Sequence, residues 1–457
     1  MKHQILTNRN LYNFTVFIGF AYVFISYSFY FNYLDWSGDY ALYIMQAKIS
    51  SQAALEELLS KMNSSLTISQ NANSFSPQYY PWGLPLIFKS TAIFHSWDIK
   101  FIKLINPITL FIIFLFLINL KKNSENRNYL IPLIFLFLVN NLLFFSSIQP
   151  SLISSFCVVL SYYFFDKKNI KLSLVFFFLA LLIRTNVIFF AFYFIINQSL
   201  KKNFQYFTRL IFLCSPLFFF FQYFIGISIF GNYNFEALYI SQNNLFEFNN
   251  LYNSVVDFLI KTSDLIFHEA NSISTYLGLL FYIIVFLLAV KNKSYFVVIL
   301  FGFVMFFIDY FLYPLDVKRV LTPMLIIFCY FLSQEILSKK INIFVIIFLI
   351  FNIFQSLTYI QNFDFSSNVF DKDYDEIISL INKDYSNQNV AFHKPRVLMM
   401  DTQVLSYRVT NENTQDILSS GLLLCDKSYM NCPNEVSELK FLKIFENETF
   451  KLFKINE

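Results

Sequence analysis

Charge is scarce in this chain. Asp, Glu, Lys and Arg make up 14% of the 457 residues, where a soluble domain of that length carries about a quarter. With 56% hydrophobic residues and 63 Phe, the shortage comes with apolar runs of 18 or more that recur along most of the sequence. Each is long enough to cross a hydrocarbon core, so an ordinary soluble protein is excluded and a polytopic α-helical membrane protein is expected. No small-x-small site follows the first run, whose end is crowded with Tyr and Phe, so it is expected to stay as a span rather than be cleaved. P-loop and Gly-rich phosphate fingerprints are missing, as are heptads and internal repeats. The net charge of +4 is spread in local Lys/Arg clusters that report topology, and no nucleic acid partner is expected.

Those clusters thread the chain. Lys2 and Arg9 place the N-terminus in the cytoplasm, before a span over about 12–32. An outer loop follows over about 33–100, then a span over about 101–120 that ends at Lys121, Lys122 and Arg127. Spans near 129–147 and 150–165 return to Asp166-Lys167-Lys168. The run over about 172–198 has basic flanks at both ends, which one crossing would violate. Two half-length helices meeting at Arg184-Thr185-Asn186 satisfy the charge rule, with the turn near the outer face. Further spans fall near 207–229, 275–290, 295–313, 320–337 and 342–360. Counted this way there are about eleven crossings, and the C-terminus lies outside.

From residue 361 to 457 the composition turns polar, and a small extracytoplasmic α/β domain is expected after the membrane domain of residues 1–360. Asp371–Lys383 has the spacing of an amphipathic helix, Arg396–Met400 reads as a strand, and Phe441–Ile455 as a strand pair turning at Glu446-Asn447-Glu448. Of the five cysteines, Cys157, Cys214 and Cys329 fall within spans. Cys425 and Cys432 lie in the outer domain, where either a disulfide or two free thiols fits the spacing.

The first outer loop carries the densest signals. In DWSGDYALYI, residues 35–44, Asp39 is either a helix cap or an acid kept at the membrane surface for use. Leu42, Met45 and Ile49, then Leu55, Leu58, Leu59 and Met62, suggest two amphipathic helices lying flat on the membrane. NSFSPQYYPWGLPLI follows, where Pro77, Pro81, Gly83 and Pro85 forbid regular helix until about Leu84. Its aromatics build a rigid surface at headgroup level, or simply an interfacial belt. Arg184 sits inside an apolar run, as a snorkelling or structurally paired arginine or facing a polar cavity. Asp316, Lys318 and Arg319 crowd an outer loop in DYFLYPLDVKRVLTPML, against the charge rule, which either an anionic ligand or an Asp316–Arg319 pair would offset. His268-Glu269 is a soft candidate for a metal site.

Taken in order, GDYALYI, YYPWGLPL, RTN and KRVLTPML resemble the GT-C superfamily of membrane glycosyltransferases, close to the protein O-mannosyltransferase and lipid A aminoarabinose transferase group. The family's forms are an acid followed by Tyr, then YPPGYP, TRP and RYLLPLLP. Here YPWGLP, RTN and RVLTPML stand in their places, and Gly38 stands where many members carry a second acid. The C-terminal RVLMMDTQVLSYRVTN and FENETFKLFKI are similar to the external domain of bacterial members. The resemblance implies transfer of a sugar from a polyprenyl-phosphate donor to a protein, lipid or glycan acceptor at the outer face of the cytoplasmic (inner) membrane. Asp39 would be general base or would help hold a divalent metal, Mg or Mn, for which His268 and Glu269 are the other soft candidates. Arg184, Lys318 and Arg319 would meet the lipid phosphate, Tyr79, Tyr80 and Trp82 would shape the sugar pocket, and Tyr40 is a further substrate-binding candidate. A flippase of lipid-linked sugars would show related halves, and none is visible. An O-antigen-type polymerase or ligase would place its large loop later in the chain. A member that binds lipid-linked sugar without catalysis is a further alternative.

Overall fold

A computed structural model describes residues 2–31, 39–48, 83–120, 129–138, 143–184, 187, 190, 317–334, 339–362, 372–402, 404, 406–408, 421–427, 432 and 440–456. The described helices before the α/β part are α1 (Lys2–Phe29), α2 (Asp39–Lys48), α3 (Gly83–His95), α4 (Ile99–Ile102), α5 (Ile105–Asn119), α6 (Leu130–Phe137), α7 (Leu143–Ser146), α8 (Ser151–Asp166), α9 (Ile170–Ile183), α10 (Val317–Gln334) and α11 (Lys339–Asn362). The α/β part holds α12 (Lys372–Asp384), β1 (Val390–Phe392), α13 (Pro395–Asp401), β2 (Ser406–Arg408), β3 (Leu422–Asp426), β4 (Lys440–Glu446) and β5 (Phe450–Asn456).

The helix ends sort into two levels, and local chemistry explains each turn. At the upper level Tyr27 donates its hydroxyl to the Lys100 carbonyl at 2.8 Å. The fully buried Lys103 donates Nζ to the Tyr30 carbonyl just past α1. The last carbonyls of a helix lack intrahelical partners, and the Lys103 amine supplies one of them with a donor. Asn106 Nδ2 donates to the Ser147 carbonyl at 2.7 Å, which fixes the foot of α5 to the approach to α8. At the lower level α8 turns into α9 across three residues. Lys168 takes φ 61°, its N–H reaches the Phe165 carbonyl at 2.9 Å and the Asn169 N–H reaches Phe164 at 2.8 Å. That is a Schellman closure with lysine where glycine is usual, and Asn169 then caps α9 by accepting from Leu172 N. Lys167, Lys168, Lys171, Lys339 and Lys340 lie at this level.

Phe114, Phe135, Tyr162, Val158, Phe328 and Tyr330 pack the core between α5, α6, α8, α9, α10 and α11. The outward faces are apolar as well: Phe17, Phe20 and Phe24 on α1, Val175 and Phe178 on α9, and Ile346, Ile350 and Phe354 on α11 are exposed. Two described helical stretches, Asn10–Phe29 and Ile99–Asn119, are long and apolar enough to cross a bilayer. The stretch expected as one span over 129–147 is interrupted. Leu138 leaves the helix with ψ 126°, and Ser356 Oγ on α11 donates to the Phe137 carbonyl at 3.2 Å. Pro132 lies in the first turn of α6 and neither proline nor glycine lies between 133 and 146, so hydropathy shows one continuous run there.

The α/β part is a five-stranded mixed sheet in the order β2-β1-β3-β5-β4, with β1 parallel to β2 and β3, and β5 antiparallel to β3 and β4. Leu422 and Leu424 face one side, Leu423 and Cys425 the other, the two-residue period of a strand buried on both faces. The helix expected over Asp371–Lys383 is α12, and the expected strand pair is β4–β5. Their turn is tied down: Asn447 Oδ1 accepts from Phe450 N at 2.8 Å, and Asp373 Oδ2 of α12 accepts from Thr449 N at 3.0 Å. Cys425 and Cys432 form a disulfide that closes over the second face, and Cys157 and Cys329 are free and buried.

Residues 396–400, expected as a strand, are helical in α13. Pro395 sits in its first turn, where a missing N–H costs nothing, and Val397, Leu398, Met399 and Met400 are all buried rather than alternating. The first expected surface helix also differs. In α2 the side chains of Tyr40, Ala41, Tyr43, Ile44, Met45, Gln46 and Ala47 are all buried, leaving no face for lipid or water among them. The second expected surface helix, over 55–62, lies outside the described residues.

Candidate functional site

Helix α2 begins at Asp39, its single acidic residue, and packs against α3 on one side and α13 on the other. One core runs through it: Tyr40 and Ile44 with Leu84 and Phe88 of α3, Ile102 and Ile148 from the bundle, and Val397, Leu398 and Ile377 of the α/β part. Tyr40 is 1% exposed, and its ring belongs to this core.

Helix α3 starts at Gly83, the glycine of PWGLP. A β-carbon there would stand 2.7 Å from the Ile183 nitrogen and the Leu182 carbonyl carbon, so glycine lets α3 lie on the end of α9. The next residue is Arg184, with extended backbone and its N–H bonded to the Ala180 carbonyl at 2.9 Å. Helix α9 thus ends where the half-length helix was expected to end; Thr185 and Asn186 lie outside the described residues. The Arg184 guanidinium donates to Ser151 Oγ, on the first residue of α8. Ser151 is fully buried, and the α8 N-terminus adds the partial positive charge of its unpaired N–H groups.

Lys318 and Arg319 occupy the first turn of α10. Phe331 stacks on Tyr162 of α8 with ring centroids 6.2 Å apart, Tyr330 donates to Asp166 at 3.3 Å, and Leu325–Leu332 are buried in the bundle. The two helices therefore end together at the lower level. Arg319 lies roughly 18 Å up α10 from Phe331, and Ser151 roughly 17 Å up α8 from Tyr162, at 1.5 Å per residue. The basic pair of α10 thus stands level with Ser151 and Arg184.

Sequence-level reasoning missed the second polar group at this end. Tyr374 Oη of α12 donates to Asp401 Oδ2 of α13 at 3.2 Å, and Asn382 Nδ2 donates to the Asp401 carbonyl at 3.2 Å. Burial pushes the Asp401 carboxyl up to about 6; the Tyr374 bond and Lys48 oppose the shift, and Asp375 adds to it. Burial, then the neighbouring Asp401, raises the Tyr374 phenol well above its ordinary value. Lys48 at the end of α2 also lies over the Trp97 ring, 5.7 Å from its centroid. Ser151 was missed too, because a serine at the head of SLISS looks like any helix residue. Only a basic partner coming from another helix marks it.

Among the described residues no group of three or more His, Cys, Asp or Glu could hold a metal ion. Of the three soft metal candidates only Asp39 is described, and α2 carries no second acid. Tyr79, Tyr80, Trp82, His268 and Glu269 lie outside the described residues. No protein-family model matches the chain, and no curated protein sequence matches it.

Proposed function

We propose that the chain is a polytopic membrane glycosyltransferase that moves a sugar from a polyprenyl-phosphate donor to an acceptor at the outer face of the cytoplasmic membrane. The observation that supports this best is convergence. Four motifs scattered from residue 39 to residue 319 come to one end of the helices: the start of α2, Gly83, Arg184, and the first turn of α10. The exposed apolar faces of α1, α9 and α11 favour lipid as the surrounding solvent, because a water-soluble monomer rarely exposes patches of that extent. Five lysines at the opposite end favour the cytoplasm for that end.

The chemistry follows from the residue types. A sugar hydroxyl is a weak nucleophile, and the Asp39 carboxylate would take its proton as the new glycosidic bond forms at the anomeric carbon. The old bond to phosphate breaks as it does so, and the departing lipid phosphate keeps the electron pair. Arg184, Lys318 and Arg319 would stabilise that charge, with the N-terminus of α8 adding its dipole. General-base assistance is worth about 10²–10⁴-fold in rate.

Asp39→Asn is therefore expected to lower transfer from a polyprenyl-phosphate sugar by at least about a hundredfold, with the heat-unfolding midpoint unchanged. The assay incubates the reconstituted protein with a panel of lipid-linked sugars and identifies products by mass. Full activity of the Asn variant, or no transfer by the parent chain from any donor, would remove the proposal.

A further inference from the structure

We propose that the α/β domain holds helix α2 in place through Tyr374 and Asp401, which makes these two residues positioning residues for the site that begins at Asp39. What that site does rests on the reading above, but the holding of α2 does not. Ten residues are too few for a helix to persist alone in water. Its order must come from packing, and among the described residues the main neighbours are α3 from the bundle side and α13 from the α/β side. Polar groups of the α/β domain face it near both ends. Tyr40 in its first turn lies within electrostatic reach of Tyr374, and Lys48 in its last turn lies within reach of Asp401. Tyr374 and Asp401 are bonded to each other, and Asn382 ties α12 to the end of α13. The α/β domain therefore meets α2 as one braced surface.

The groups facing Asp401 are Tyr374 and Asp375 from α12 and Lys48 from α2. Its carboxyl is raised, so the buried arrangement prefers the protonated acid. The contribution to docking is then fully present below about 4, the ordinary range of an Asp, and is lost as pH rises through about 6. The seam is tighter in acid, and α2 with it.

Hydrogen exchange on the full-length protein in lipid nanodiscs tests this, with intrinsic rates corrected for pH. In Tyr374→Ala/Asp401→Ala the amides of α2 should exchange at least about tenfold faster, with those of α5 and α8 unchanged. Asp401→Asn keeps an acceptor for the Tyr374 hydroxyl. It should keep α2 protected but lose the fall in protection that the parent shows between pH 5 and pH 8. A contact that only added bulk stability would not give this split between the two Asp401 variants. Equal α2 protection in the parent and the double variant overturns the proposal, as does a loss spread evenly over α2, α5 and α8. A pH step that survives in Asp401→Asn overturns it too. None of these readings needs a sugar donor, so a chain that transfers no sugar can still pass the test, and an active transferase can fail it.

Discussion

At Gly83 a β-carbon would meet the backbone of Leu182 and Ile183, which cannot swing aside as a side-chain end could. Gly83→Ala therefore sets two effects against each other. The unfolded chain loses freedom, which stabilises by about 0.4–1 kcal/mol, while overpacking against backbone costs about 1–3 kcal/mol. The clash wins, and a net destabilisation of about 1–2 kcal/mol is expected, read as a lower heat-unfolding midpoint. Arg184 follows the displaced residues directly, so the sugar transfer proposed above should fall as well. An unchanged midpoint would mean that α3 does not lie on α9 as described. Gly83 was visible in the sequence as a helix breaker, but close approach cannot be read from a string. Arg184 was easier, since a charge inside an apolar run stands out; Ser151 and Asp401 became legible only with their partners from other elements. Asp39 was legible as the start of a helix, whereas the burial of Tyr40 beside it depends on neighbours from other helices that no local pattern shows.

Among elements, regular spacing was the reliable signal. The 3.6 period of α12 and the alternating FLKIFE and FKLFKIN strands appear where pattern put them. Short apolar runs failed for the reason such runs usually do: VLMM fits a buried strand or a buried helix equally well, and Pro395 at the helix start decided it. The β4–β5 hairpin carries its own test. Its register sets Glu446 opposite Lys451, while Lys443 at 2.6 Å and Lys427 at 3.1 Å complete a ring of three cations. Bonds from Lys443 and Lys427 bring the Glu446 carboxyl down to about 2. A depressed carboxylate contributes stability above its ordinary 4.5 and loses it as pH falls towards 2, opposite in sign to Asp401. Hairpin amides should therefore lose protection over that acid range, and Glu446→Gln should flatten the dependence. The change should be small, because exposed ion pairs are screened and pay entropy for their geometry. A steep acid loss that survives in the Gln variant would assign the effect elsewhere.

At the scale of the whole molecule, charge distinguishes the two levels at which the described helices end. The lower level gathers Lys167, Lys168, Lys171, Lys339 and Lys340, while the upper level carries the α/β domain with its disulfide and the convergent site. The gathering of lysines at one end of the described helices was legible in the sequence. The joining of the α/β domain to α2 was not, since it unites residues more than 330 positions apart through a core that no local pattern announces. If the bundle lies in the cytoplasmic membrane as proposed, the two levels are on opposite sides of it. Lys167→Cys and Glu448→Cys change exposed residues, one in the α8–α9 turn and one in the hairpin turn, so neither should disturb the fold. In intact cells an impermeant maleimide should label the cysteine at 448 and spare the one at 167, which should react only after permeabilisation. The parent chain is labelled alongside as the blank for its own cysteines: Cys157 and Cys329 are buried, Cys425 is bonded to Cys432, and Cys214 lies outside the described residues. Reversed labelling would move the site and its donor to the cytoplasmic face, where the same carboxylate and cations would have to draw on a differently supplied lipid-linked sugar. Labelling of both positions in intact cells would break the two-sided arrangement altogether, and with it the need for the lysines to sit apart from the domain.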